Sequence, residues 1–215
     1  MSCSCCSYTP VWIYLNSHTA SAMEDASQDR LSYALSILAG DPCLQIGPGI
    51  LSACRDIVFA DPESAECSQV TETSLSTWLC DDALFFTLIK SDGQNLVYSH
   101  TNKVLYYAAP QAQLSAACPD GCSILCQFTV DKLPQESVPR LLAFDLLLPR
   151  GVDPAARGEA LRALSVHMPA PLCCVQWVGP RRYLTPQFVS GLPHRASRGF
   201  ALTTDARIVA GLPSI

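Results

Sequence analysis

Lys90 ends the apolar run Phe85-Phe86-Thr87-Leu88-Ile89 and is followed by Ser91-Asp92-Gly93. A lysine delivered by a strand can act as a nucleophile. The strand fixes the amine, an apolar layer favours its neutral form, and Gly93 lets a ligand approach the backbone. The same residues have a plainer reading, because Asp-Gly is an ordinary hairpin turn signal. Asp145 interrupts the apolar run Leu141 to Leu148. A carboxylate there must be paired or hydrogen-bonded. It either stands beside a ligand or metal, or it caps backbone or pairs with Arg157 or Arg162. Its neighbour Phe144 either stacks on a base or fills the core. His194 and Arg195 lie in a Gly-Leu-Pro-His-Arg loop, and Arg181, Arg182 and Arg198 complete a local basic group. Such a group suits phosphate, and a solvated loop is the alternative.

Other chemistries find less support. The chain has no G-x-S-x-G, H-E-x-x-H or G-x-G-x-x-G. Gly47-Pro48-Gly49 reads as a turn, since no Gly-Lys-Ser/Thr follows it. Among 12 cysteines only Cys3 and Cys6 have CxxC spacing, so no protein-held metal site is expected. No leader-like opening accompanies these cysteines, which predicts free thiols in a reducing compartment.

The elements that must position these residues follow from composition and periodicity. The chain has 215 residues, 49% hydrophobic and 15% charged, which is enough for a substantial core. A net charge of −5 argues against a broad nucleic-acid-binding face. No apolar run reaches the ~18 residues of a membrane span. Residues 1–28 read as a disordered tail, with Met23 resembling a natural start. From Asp29, Leu31, Ala34, Leu35 and Leu38 recur at helical spacing, and Gly40-Asp41-Pro42 stops the helix. Asp61 to Ser64 reads as a loop, and Thr73 to Leu79 as a short helix. A meander follows: the Lys90 strand, a hairpin through Leu96–Tyr98 and Lys103–Tyr107, then strands at Ser123–Val130 and Leu141–Leu148. Asp153-Pro154 opens a helix, Cys173–Val178 is a strand, and Gly179 to Arg182 is a turn. Thr185-Pro186 opens a short helix, and Phe200–Thr203 is a strand.

Taken in order, these segments resemble the nucleotidyltransferase domain of messenger-RNA capping guanylyltransferases and their relatives, the ATP-dependent ligases. Lys90-Ser91-Asp92-Gly93 resembles the family's Lys-x-Asp-Gly, and Leu142-Ala143-Phe144-Asp145 its later Phe-Asp strand. Leu192-Pro193-His194 through Gly199-Phe200-Ala201-Leu202 resembles the capping-enzyme Leu-Pro-His-x-x-Asp-Gly-Leu-Ile-Phe. The likeness covers residues 45–215. It implies an α+β fold of antiparallel sheets with flanking helices around a nucleotide cleft, spanning 29–215 and lacking the C-terminal OB-fold. It implies GTP with Mg2+ or Mn2+, Lys90 as the residue that accepts GMP, and passage of GMP to a 5′-diphosphate RNA end. Asp92, Gly93, Phe144, Asp145, His194, Arg195 and Gly199 would then surround the nucleotide. The location implied is nuclear or cytoplasmic, with a second chain able to supply the missing OB-fold and motifs.

The sequence departs from that pattern in identifiable places. Asn95 stands where the family has arginine. The glutamate of Asp-Gly-Glu falls at Phe128, or at Cys122 in a shifted register after Asp120-Gly121. Arg198 stands where an acid precedes the final glycine. The later Lys-x-Lys is absent. Two alternatives follow: a catalytically inactive nucleotide-, cap- or protein-binding member of the same fold, and an ATP-using ligase-like enzyme.

Overall fold

The buried residues Leu31, Ala34, Leu35 and Leu38 lie on one face of helix α1 (Ala20–Leu38). In the computed structural model, which describes residues 20–44, 46, 70–146, 154–202 and 208–210, this helix starts nine residues before Asp29. Ala20, Ala22, Met23, Glu24 and Ala26 favour helix over the expected tail. Residues 1–19 of that tail, the 47–49 turn and the 61–64 loop lie outside the described residues.

The strands form two sheets. The larger contains β2 (Leu84–Ser91), β3 (Gln94–Ser99), β4 (Val104–Tyr107), β5 (Ser123–Lys132), β6 (Ser137–Leu146) and β7 (Cys173–Val175), in the order β4-β3-β2-β5-β6-β7. The smaller contains β1 (Leu75–Cys80), β8 (Gly179–Pro180), β9 (Ala196–Leu202) and β10 (Ile208–Ala210), in the order β10-β9-β1-β8. Every pairing is antiparallel except β6 with β7. The fold is therefore α+β with mostly antiparallel sheets. Two further helices, α2 (Pro154–Leu164) and α3 (Pro186–Ser190), begin at prolines, which suits a first-turn position that needs no N–H.

One expected helix is a strand. Leu75 to Cys80 pairs with β9 on one side and β8 on the other. Thr77 and Trp78 fit a pleated surface, and ladder bonds on both flanks outweigh any local helical preference. Gly179-Pro180, expected as a turn, likewise forms the short strand β8.

Strand alternation divides the core into layers. Phe86, Leu88, Ile124, Cys126, Phe128, Leu141 and Ala143 face α1 and Leu161 of α2. On the opposite face, Leu125 and Phe144 meet Phe200 and Leu202 of β9. Helices thus cover one side of the larger sheet, and the smaller sheet covers the other. Burying side chains such as Phe144 and Phe200 contributes about 1.5–3 kcal/mol each.

A polar clip joins the sheets where β1 bulges between Leu79 and Cys80. Gln127 of β5 accepts from the Cys80 N–H at 3.0 Å and donates to the Trp78 carbonyl at 3.0 Å. It also donates to Gln176 Oε1 at 2.6 Å, while Gln176 donates to Thr77 Oγ1 at 2.7 Å. The backbone groups released by the bulge are thereby satisfied inside the core.

Candidate functional site

The expected site residues fall into three places. At one end of the larger sheet, Lys90 lies on the face shared with Phe86 and Leu88 and is 6% exposed. Asp92 and Gly93 both have positive φ, 50° and 72°, between the paired residues Ser91 and Gln94. They make the two-residue primed turn that closes β2 onto β3, so the hairpin role of Asp-Gly is realised here. Asn95 pairs with Lys90 across this hairpin, and its side chain accepts from the Leu114 N–H at 3.0 Å.

In the middle of the molecule, Phe144 is 1% exposed and packs edge-on against Phe85 and Phe200, with ring centroids 6.0 and 5.1 Å away. Phe200 is buried and Phe85 is half-buried against the same cluster, so the Phe144 ring serves the interface between the sheets. Asp145 Oδ1 and Oδ2 accept from Arg157 Nε and Nη2 at 2.9 and 3.1 Å. Oδ1 also accepts from the Leu146 N–H at 2.8 Å. Burial pushes the Asp145 carboxyl above its ordinary range, against the pull of Arg157 and the Leu146 N–H. The ion pair fastens α2 to β6, which is the pairing alternative for Asp145.

At the other end, His194 is buried and bonded on both ring nitrogens. Trp78 Nε1 donates to His194 Nε2 at 2.7 Å, and Nδ1 lies 3.1 Å from Asp131 Oδ1. Indole N–H can only donate, so Nε2 accepts and the ring proton sits on Nδ1, donating to Asp131. The rings of Trp78 and His194 also stack, 5.9 Å apart at 25°. Arg140 extends the chain, donating from Nε to Asp131 Oδ2 at 3.3 Å and from Nη1 to the Pro171 carbonyl.

This network adjoins a groove of about 720 Å³. Leu84, Phe128, Val130, Val189, Leu192 and Pro193 supply its apolar wall, and Tyr33 of α1 stands beside Phe128 with 45% exposure. Its charges are arranged unequally. Arg30 pairs with Asp82 at 2.8 Å, and Asp81 accepts from the Ser197 N–H and hydroxyl at 2.8 and 2.6 Å. Lys132 and Arg195 are exposed and have no ion pair among the described residues. The Lys132 N–H donates to the Pro193 carbonyl at 3.1 Å, which draws both cations to one segment of the rim.

These places are far apart. Lys90 faces Cys122, just before the start of β5, and His194 sits on Asp131 near the end of that strand. The nine residues from 122 to 131 span about 30 Å of extended chain. The structure therefore brings His194 and Arg195 together and holds Lys90, Asp92 and Gly93 elsewhere. Gly199 is buried in β9 opposite Trp78. The arginines also divide. Arg181 and Arg182 bond backbone at Ser74 and Glu72, before β1, whereas Arg195 lies beyond its far end at Asp81. Seven residues, from 74 to 81, put about 20 Å of strand between them.

Sequence reasoning missed Tyr33, Trp78, Asp131 and Lys132. Asp131 carried a usable signal, since it is a carboxylate within a largely apolar strand, as Asp145 is. Among the described residues, no group of three or more His, Cys, Asp or Glu side chains is placed to hold a metal ion. No described helix is long and apolar enough to cross a membrane. No protein-family model matches this chain, and no curated protein matches it.

Proposed function

We propose that this chain is a non-catalytic nucleotide-binding domain of nucleotidyltransferase-like architecture, with its ligand in the groove beside His194. The observation that carries the reading is the pair Lys132 and Arg195, cations without an ion pair among the described residues, on the rim of a groove whose other charges, Arg30, Asp82 and Asp81, are already engaged. Phosphate oxygens would accept from them, and the exposed ring of Tyr33 offers a stacking face for a base. A groove of about 720 Å³ has the size of a small-ligand site. The likeness of residues 192–202 to the capping-enzyme segment makes guanine nucleotides, free or at an RNA 5′ end, the first ligands to test. A nuclear or cytoplasmic location belongs to the same reading. Covalent transfer through Lys90, as the resemblance implies, draws no support from a groove about 30 Å of strand away.

The test is an equilibrium titration with GTP, GDP and ATP, read by intrinsic tryptophan fluorescence. Saturable binding is expected. Lys132→Ala and Arg195→Ala together should weaken it about 10–100-fold, from the loss of charge-assisted bonds. Lys90→Ala should leave it unchanged. Failure of every nucleotide to bind folded protein would remove the proposal, and a GTP-derived adduct on Lys90 would replace it with the transferase reading.

A further inference from the structure

Lys90 and two thiols meet at the end of the larger sheet remote from the groove. The Gly121 N–H donates to the Lys90 carbonyl at 2.8 Å, and the Lys90 N–H donates to the Cys122 carbonyl at 2.9 Å. Two residues of one strand thus oppose one of the other, with Gly121 at φ 86°. This is a glycine-type β-bulge, a device that re-aims neighbouring side chains. Cys118 and Cys122, four residues apart across this turn, both pack into the larger core cluster, and the Cys118 thiol lies near enough to Cys122 and to the Lys90 charge to be shifted by both. Asp120 in the same turn accepts from the Gly93 N–H at 3.1 Å and fastens it to the β2–β3 hairpin. Cys118 is buried, Cys122 is half-buried, and Lys90 carries no ion pair among the described residues.

We propose that Cys118 and Cys122 are a redox-active dithiol, closed to a disulfide by small-molecule disulfides, with Lys90 as its positioning cation. The partial exposure of Cys122 makes it the entry point. Its thiol loses a proton to water, and the thiolate attacks one sulfur of the oxidant RSSR. The oxidant's S–S bond breaks, and one thiolate leaves and is protonated. Cys118 then loses its proton and attacks the Cys122 sulfur. The internal S–S bond forms as the mixed one breaks, and a second RSH leaves. Two electrons pass from the dithiol to the oxidant, which ends as two thiols. Burial pushes the Cys118 thiol up to about 11, and the Lys90 charge pulls it down, so the lysine favours the second step. Cys126 and Cys173 are also in contact, but both are buried beyond the reach of an oxidant.

The reduced full chain would be treated with glutathione disulfide and digested without reductant by a protease that cuts before Asp120. Cys118 and Cys122 then fall on separate peptides, held together only by the bond. The linked pair is expected in wild type and in Cys126→Ser, and its loss in Cys122→Ser. Lys90→Met should slow closure several-fold and displace its pH–rate profile upward, and Lys90→Arg should restore the rate. A link that depends on Cys126, or a persistent adduct on Cys122 with no link, overturns the proposal. Equal closure rates in wild type and Lys90→Met overturn the part assigned to the lysine.

Discussion

His194 shows how a residue of chemical promise is committed by its surroundings. Its Nε2 is occupied by the Trp78 indole and its Nδ1 by Asp131, so the ring organises the groove floor and holds the 192–196 segment. Replacing it with phenylalanine would keep the stacking on Trp78 and leave two buried polar partners unmatched. At ~1–3 kcal/mol for each orphaned group, His194→Phe should destabilise the protein almost as much as His194→Ala. Urea midpoints would check this, and a phenylalanine variant close to wild type would contradict it. Asp145 is committed in the same way. Removing one member of its pair, as in Arg157→Met, should cost about 3–5 kcal/mol by stranding a buried charge. Asp145→Leu combined with Arg157→Met should recover much of that loss in the same unfolding assay.

Elements explain which of these roles could be read in advance. The Lys90 strand, its hairpin, β5, β6 and α2 follow from local periodicity and turn residues, and all stand close to their expected places. Arg157 was a foreseeable partner for Asp145 because they are 12 residues apart, with one short helix entry between them. The Trp78–His194–Asp131 chain was not foreseeable. Its members are separated by 116 and 63 residues, and no local pattern reports such contacts. The strand at Leu75–Cys80 was hidden for the same reason, since its partner β9 lies at Ala196–Leu202. Turn chemistry yields its own predictions. Gly93 adopts φ 72° with open space around its Cα, so Gly93→Ala should cost about 1 kcal/mol through backbone strain alone. Gly179→Ala is a different case, because a Cβ there would come within 2.3 Å of the Trp177 ring. The flat ring cannot yield as a flexible chain end would. Thermal denaturation should show a larger loss for Gly179→Ala than for Gly93→Ala.

The whole molecule combines a thiol-rich core with two widely separated polar ends. Burial pushes the Cys80 thiol up to about 12 and raises that of Cys126 as well. Above pH ~9 the unfolded chain releases these protons while the folded chain keeps them. The unfolded state then binds fewer protons, so stability falls as pH rises from about 9 towards 12. Each such thiol contributes up to about 1.4 kcal/mol per pH unit. The melting temperature should decline through that window, and Cys80→Ala should flatten the decline. A melting temperature constant from pH 8 to 11 would contradict the buried-thiol assignment. The separation of the two ends is the central feature for function. Nucleotide in the groove and chemistry at Lys90 are alternatives about 30 Å of strand apart, so the location of the ligand decides between them. The most direct measurement is a titration of isotope-labelled protein with GDP, followed by backbone amide shifts. The account predicts saturable shifts at Thr129–Lys132 and Leu192–Ala196, and none at Lys90–Asn95. Shifts confined to the Lys90 hairpin and the 118–122 turn would contradict it.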